Sequence, residues 1–181
     1  LTVNTGDALD NGISITTGSG DSTINASGAG DTISVDAAAM ADNTTLTLSG
    51  SANETVTNLQ ADTKAAASSG GLNISYGAIG DKKASLTTGT GNVVVSGGVA
   101  GDQVIVTGLN TDGQTLFGLD ANSNLSITAG TGSQLITASN LGNDSIDGGG
   151  DFDTLSFAGG SNVDLSITDY GNQAGDVSGQ G

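Results

Sequence analysis

Two aspartates, Asp144 and Asp153, lie nine residues apart in the stretch Ser139 to Ser156, in a spacing suited to metal binding. A segment rich in small residues precedes each acid, and a large aliphatic residue, Ile146 or Leu155, follows the acid two positions later. Small residues let the backbone turn tightly and enter positive φ, so that carbonyl oxygens point inward. A carboxylate beside such carbonyls completes the set of hard oxygen ligands that Ca²⁺ selects. This pair therefore predicts calcium binding.

Other acids occupy, or lie beside, the same position in less regular copies of the nine-residue pattern. The predicted metal ligands are Asp144 and Asp153, with secondary candidates Asp31 and Asp102, and with Asp21, Asp147 and Asp151 nearby. Further copies carry Glu54, Val93 or Gln134 where the acid belongs, so calcium is expected at some turns only. The alternative is an Asx turn, in which aspartate bonds its own backbone and no metal takes part.

The pattern has glycines at positions one, two and four, an acid at six and an aliphatic residue at eight. It resembles the calcium-binding nonapeptide repeat of RTX proteins. In that family, which is exported by type I secretion, two nonapeptides form one coil of a right-handed parallel β-roll. The threonine-rich, degenerate copies are most similar to those of bacterial surface-layer proteins and adhesins. Ser139 and Asn140 replace the first two glycines, and Asp151 replaces the fourth.

The spacing of β-branched triplets predicts an all-β chain, with residues 1–181 in one elongated domain. The expected architecture is a right-handed parallel β-roll, or β-solenoid, of about seven to eight coils. Aromatic residues make up 3% of the chain and Trp is absent, so the core must be thin and aliphatic. Good helix formers from Leu59 to Ala67 predict one short external helix within residues 58–71. A polar tail is expected at residues 171–181.

The charge of the chain restricts its partners. Nineteen acids against three lysines give a formal net charge of −16, without Arg or His. Such a chain repels nucleic acids and anionic membranes and favours divalent cations. The lack of Cys agrees with an exported protein stabilised by Ca²⁺ instead of disulfides, which predicts an extracellular or cell-surface location. No apolar run approaches the length of a membrane span.

These features favour a structural role, as a calcium-stabilised subunit of a surface layer, filament or adhesin. Unpaired strand edges at the two ends, LTVNT and DLSITDY, predict self-association between copies. A cell-surface polysaccharide is a further candidate partner. No catalytic residue is predicted, because the chain lacks the usual proton carriers.

Two alternatives remain open. Outward threonines, as in TGTGN at Thr88 to Asn92, suggest an ice- or glycan-binding module, although this motif occurs once and threonine favours strands anyway. The pair Asp151 and Asp153 suggests a carbohydrate-active β-helix enzyme, which the absence of His and Arg disfavours.

Overall fold

The computed structural model describes residues 1–6, 12–99, 101–111, 113–119, 124–139, 144–150, 153–158 and 176–178. These residues form seventeen β-strands and no helix. The strands are β1 Thr2–Thr5, β2 Gly12–Thr16, β3 Ser22–Ala26, β4 Thr32–Asp36, β5 Thr45–Gly50, β6 Asn53–Leu59, β7 Asp62–Ser68, β8 Leu72–Tyr76, β9 Lys83–Thr87, β10 Val93–Gly97, β11 Gln103–Leu109, β12 Thr115–Leu119, β13 Asn124–Ala129, β14 Leu135–Ser139, β15 Ser145–Asp147, β16 Thr154–Ala158 and β17 Asp176–Ser178.

Strands β1 to β16 alternate between two parallel sheets. The first sheet has eight strands in the order β1-β3-β5-β7-β9-β11-β13-β15. The second has nine, in the order β2-β4-β6-β8-β10-β12-β14-β16-β17. Up to β16, each strand therefore pairs with the strand two places away along the chain, and β17 pairs directly with β16. This arrangement makes a β-solenoid of about seven turns. The predicted all-β, parallel solenoid is confirmed.

The core is a narrow double row of side chains between the two sheets. Side chains alternate between the core and solvent along each strand, as in β3, where Ser22, Ile24 and Ala26 are buried and the residues between them are exposed. The aliphatic residues predicted to point inward do so. Ile24, Ile33, Val56, Val95 and Val104 are buried, and Ile146 and Leu155 pack against the same core.

The helix predicted within residues 58–71 is wrong. This stretch contains the end of β6, a tight turn and the seven-residue strand β7. Thr63, Ala65 and Ser68 point into the core, and β7 pairs on both sides with β5 and β9. Helix propensity is worth only tenths of a kcal/mol per residue, about 0 to 0.7, and a short helix is marginal by itself. Two ladders of hydrogen bonds and a buried face outweigh it.

Several predicted features lie outside the described residues. They are Asn140, Asp151, the second edge strand DLSITDY and the tail 171–181 apart from β17.

Candidate metal-binding turns

The predicted ligands divide between two corners of the solenoid. Asp21, Asp102 and Asp144 each directly precede a strand of the first sheet, namely β3, β11 and β15. Asp31 and Asp153 each directly precede a strand of the second sheet, namely β4 and β16. Asp147 is the last residue of β15, the strand that comes before Asp153 in the chain. Among the described residues, no three His, Cys, Asp or Glu side chains group together to hold a metal ion.

Asp102 is fully buried and already has donors on both carboxylate oxygens. Its Oδ2 accepts the backbone N–H groups of Ile79 and Val99, both at 3.0 Å. Its Oδ1 accepts the Lys82 ammonium at 2.9 Å. Burial alone would raise the pKa of Asp102, but these N–H groups and the lysine together lower it. An ammonium on the chain thus supplies the positive charge at this turn.

Lys82 reaches Asp102 from a strained backbone position. Its φ is 66°, in the left-handed region that non-glycine residues rarely adopt. The conformation closes a turn in which the Lys82 N–H donates to the carbonyl of Ile79 at 3.2 Å. The same turn brings the N–H of Ile79 to Asp102. One aspartate therefore ties together two successive coils.

Asp144 and Asp153 are partly buried and each binds the preceding coil. Asp144 Oδ1 accepts the N–H of Leu125, and Asp153 Oδ1 accepts the N–H of Gln134, both at 2.9 Å. Burial raises the pKa of Asp144, and the bond from Leu125 opposes that rise. The carboxylate of Asp153 lies over Gly148, where any Cβ would overlap it. Both acids directly precede a strand, and calcium binding by them stays a prediction.

The remaining predicted ligands also engage the backbone. Asp21 Oδ1 accepts the N–H of Thr45 in the next coil at 2.9 Å. Asp147 Oδ1 accepts the N–H of Gly149 at 3.1 Å, which is an Asx turn. Asp31 is buried with its carboxylate over Gly28, a position that a Cβ would fill. Asp147 thus has the local bond that the Asx-turn alternative predicts, whereas Asp21, Asp102, Asp144 and Asp153 accept backbone N–H groups from a neighbouring coil.

Glutamine takes the place of the acid in two turns of the second sheet. The Gln114 amide nitrogen donates to the carbonyls of Gly89 at 3.0 Å and Gly91 at 2.7 Å. The Gln134 amide nitrogen donates to the carbonyl of Thr131 at 3.1 Å. In both turns an N–H group, not a cation, satisfies inward carbonyls. Gln114 was not predicted from the sequence as a turn residue. It nevertheless lies two residues before the buried Leu116, which is the spacing between the acid and the aliphatic residue in the repeat.

Glu54 occupies the acid position of its repeat but does not lie in a turn. It is the second residue of β6, in register with Ile33 on one side and Leu72 on the other, and is 2% exposed. Its Oε2 accepts the Ser68 hydroxyl at 3.0 Å, whereas Oε1 has no hydrogen-bond partner. Burial raises its pKa to about 7, although the Ser68 bond opposes the rise. This environment does not follow from the repeat pattern.

The outer face of the first sheet carries a column of threonines that the nine-residue pattern does not predict. Strand register aligns eight positions, one on each strand of this sheet. In order they are Thr2, Thr23, Thr47, Lys64, Thr87, Thr107, Thr128 and Asp147. We call this set the threonine column. The six threonines come from sequences as different as LTV, STI and VTG, and only the pairing of strands brings them together.

The described residues include no helix that could cross a membrane. Comparisons with protein-family models, curated proteins and solved structures gave no match, so the resemblance to RTX proteins stays a prediction from the repeat motif.

Proposed function

We propose that this chain is a structural module of an extracellular or cell-surface assembly such as a surface layer, filament or adhesin. The observation that carries the proposal is the pair of continuous parallel ladders, eight and nine strands long. At about 4.8 Å per strand the first sheet extends for roughly 35 Å. Each coil contacts only its neighbours, so every added coil lengthens the ladders and adds its own interface to the stability, which suits a load-bearing or spacing role.

Open strand edges support self-association. β1 and β2 are the edge strands of their sheets, and Leu1 beside β1 is 53% exposed. Unpaired N–H and C=O groups on an edge strand pair readily with another chain. A second copy stacked there would extend both ladders.

Calcium is the proposed trigger, because association of chains with a net charge of −16 requires charge neutralisation. The turns before β15 and β16 would hold it, through Asp144 and through Asp147 with Asp153. Both turns offer partly buried or exposed carboxylates, and the carboxylate of Asp153 lies over Gly148, the residue after Asp147. Asp102 is already neutralised by Lys82, so we do not assign it an ion. Bound Ca²⁺ would supply positive charge at the two turns and reduce the repulsion between copies.

The test combines calorimetry of Ca²⁺ binding with light scattering over a concentration series, with Ca²⁺ or with chelator. We expect the parent to bind Ca²⁺ and to associate only when the ion is present. The double variant Asp144→Asn, Asp153→Asn should lose both properties, because the amide keeps the shape but loses the charge that Ca²⁺ requires. The matched control is Asp36→Asn, Asp81→Asn, which removes the same charge from two exposed acids that bond their own turns.

The control should behave as the parent does. Equal Ca²⁺ binding by parent and double variant would rule out these turns, and a monomer at every concentration with Ca²⁺ would rule out the assembly.

A second candidate function is recognition of a flat periodic surface such as ice, and the threonine column favours it. Threonines at successive strands repeat at about 4.8 Å on a sheet face. The adjacent column of the same face adds Ser85 and Ser126, in register through Ile105. The outward positions of this face carry no aromatic side chain among the described residues, which disfavours stacking against sugar rings. Lys64 interrupts the column and divides it into two runs of three threonines.

Ice recrystallisation inhibition measures this second function directly. If the column binds ice, Thr107→Tyr should abolish inhibition, because a bulky ring lifts the flat face away while keeping high β-propensity. The control Thr55→Tyr places the same ring on the outer face of the second sheet and should leave inhibition intact. No inhibition by the parent, or equal loss in both variants, would remove ice binding by this face from consideration.

A further inference from the structure

Glu54 is a buried acid that neither the proposed calcium turns nor the proposed assembly uses. It is the single glutamate of the chain. Its backbone N–H donates to the carbonyl of Gly71 at 2.8 Å, and its strand pairs with β4 and β8 on the two sides. The side chain therefore cannot swing to solvent without breaking the second sheet. The carboxyl group therefore stays in the core, and its surroundings there determine whether it is protonated.

The core around Glu54 compensates only one of its oxygens. The Ser68 hydroxyl donates to Oε2, and Oε1 is buried without a partner. The neighbours in register on both sides, Ile33 and Leu72, are aliphatic. An ionised carboxylate in such surroundings is costly, whereas a neutral carboxylic acid needs fewer partners.

We propose that Glu54 is a proton-responsive switch in the core, neutral when the coils around β6 to β8 are fully packed and opening them locally when it ionises. The direction follows from linkage. The pKa of Glu54 is about 7 in the folded chain against 4.5 for the free side chain, so the folded state binds more protons between these values. Stability is fully present below pH 4.5 and is lost as pH rises through 7.

The size of this pH effect on stability follows from the difference between the folded and free pKa values of Glu54. Each pKa unit is a factor of ten in the folding equilibrium, so the equilibrium should fall on the order of 100-fold between pH 5 and pH 8. The loss should concentrate in the coils around Glu54, because a solenoid opens by neighbouring units. The rest of the rod would remain paired.

Among the described residues, other ionisable side chains lie on β4, β7 and β8 and on the turn before β4. On β4 and its preceding turn, Asp36 is exposed, and the buried Asp31 lies two positions before the register partner of Glu54. On β7, Lys64 and Asp62 alternate outward. On β8, Tyr76 is buried at the far end of the strand, paired with Leu59, and burial raises its pKa above its usual range.

The first experiment is an NMR titration of the full chain labelled with carboxyl-¹³C glutamate, which gives a single side-chain resonance. We expect that resonance to titrate near pH 7. Ser68→Ala should shift the midpoint upward, because the hydrogen bond from Ser68 stabilises the charged form and the variant removes it. Titration near 4.5 would overturn the proposal.

The second experiment compares hydrogen exchange and urea unfolding between pH 5 and pH 8. The parent should lose protection in β6 to β8 as pH rises, and Glu54→Gln should hold it constant. Asp36→Asn removes one exposed charge from the adjacent strand β4 and controls for general repulsion in this acidic chain. It should keep the parent's profile. If Glu54→Gln and the parent show parallel profiles, the switch does not exist, whatever the calcium experiments show.

Discussion

Replacing Gly91 with alanine is expected to destabilise the solenoid by at least about 3 kcal/mol, at or above the usual range for overpacking. A Cβ at Gly91 would overlap the carbonyl group of Gly70 in the preceding coil. A Cβ at Gly70 would in turn overlap the carbonyl of Ala52. Backbone is stacked on backbone along this corner, so no side chain can move aside to relieve the clash. The Gly91 carbonyl also accepts the Gln114 amide, and a shift of the turn would weaken that bond.

Urea unfolding followed by circular dichroism measures this effect, and the chain contains a matched control. Gly20 also lies in a turn between strands, but a Cβ there meets nothing within 4 Å. Gly20→Ala should be neutral or should stabilise by about 0.4 to 1 kcal/mol, because it restricts the unfolded chain. Equal stability of the two variants would show that the coils are spaced more loosely at this corner than the structure indicates.

Much of the fold was accessible from the sequence because the repeat itself encodes it. A glycine turn followed by a triplet with one inward aliphatic residue specifies turn and strand together, and Ile24, Ile33 and Val104 are buried as expected. The wrong prediction of a helix at β7 arose because local propensity differs from what the neighbouring strands impose. Residues such as Lys64, Ala65 and Ala66 have high helix propensity, and only the neighbouring strands β5 and β9 convert the segment to a ladder.

The candidate site was less predictable, because contacts between coils depend on register. The position of Asp102 at a turn follows from the motif, but its bond to Lys82 joins residues twenty apart and needs a positive φ at the lysine. The burial of Glu54 similarly depends on where the preceding turn ends. Because β6 begins at Asn53, Glu54 lies inside the strand and its side chain is buried. The threonine column arises entirely from pairing between unlike repeats. A pattern of nine residues carries no information about these alignments.

Replacing Asp102 with alanine is expected to cost about 3 kcal/mol, because two backbone donors lose their acceptor and each unsatisfied buried group costs about 1 to 3 kcal/mol. The change leaves the N–H groups of Ile79 and Val99 without their acceptor inside the structure. It also leaves the Lys82 ammonium without its counter-charge, but that side chain is 55% exposed and water compensates for most of the loss. The backbone donors should therefore dominate the cost, since unsatisfied buried groups bear the full desolvation penalty.

Lys82→Met separates the two contributions in the same urea experiment. It removes the ion pair, keeps both N–H bonds to Asp102, and should cost less than about 1 kcal/mol. Asp81→Ala is the control for loss of an acid at this turn, because Asp81 is exposed and accepts only the nearby Lys83 N–H among its described contacts. If Lys82→Met proves as damaging as Asp102→Ala, the ion pair is the main stabilising contact, contrary to this prediction.

The pH dependence of the Asp102 contribution provides an independent check. The pKa of Asp102 is lowered in the folded chain, so its contribution is present above its ordinary value of 3.8 and is lost as pH falls through the folded value. Glu54 acts in the opposite direction, since its contribution is lost as pH rises through about 7. Both contributions are complete only between the two ordinary pKa values, 3.8 and 4.5, so the parent should be most stable there and should lose stability on either side. Asp102→Ala should flatten the acid limb of the profile and leave the limb near neutrality unchanged.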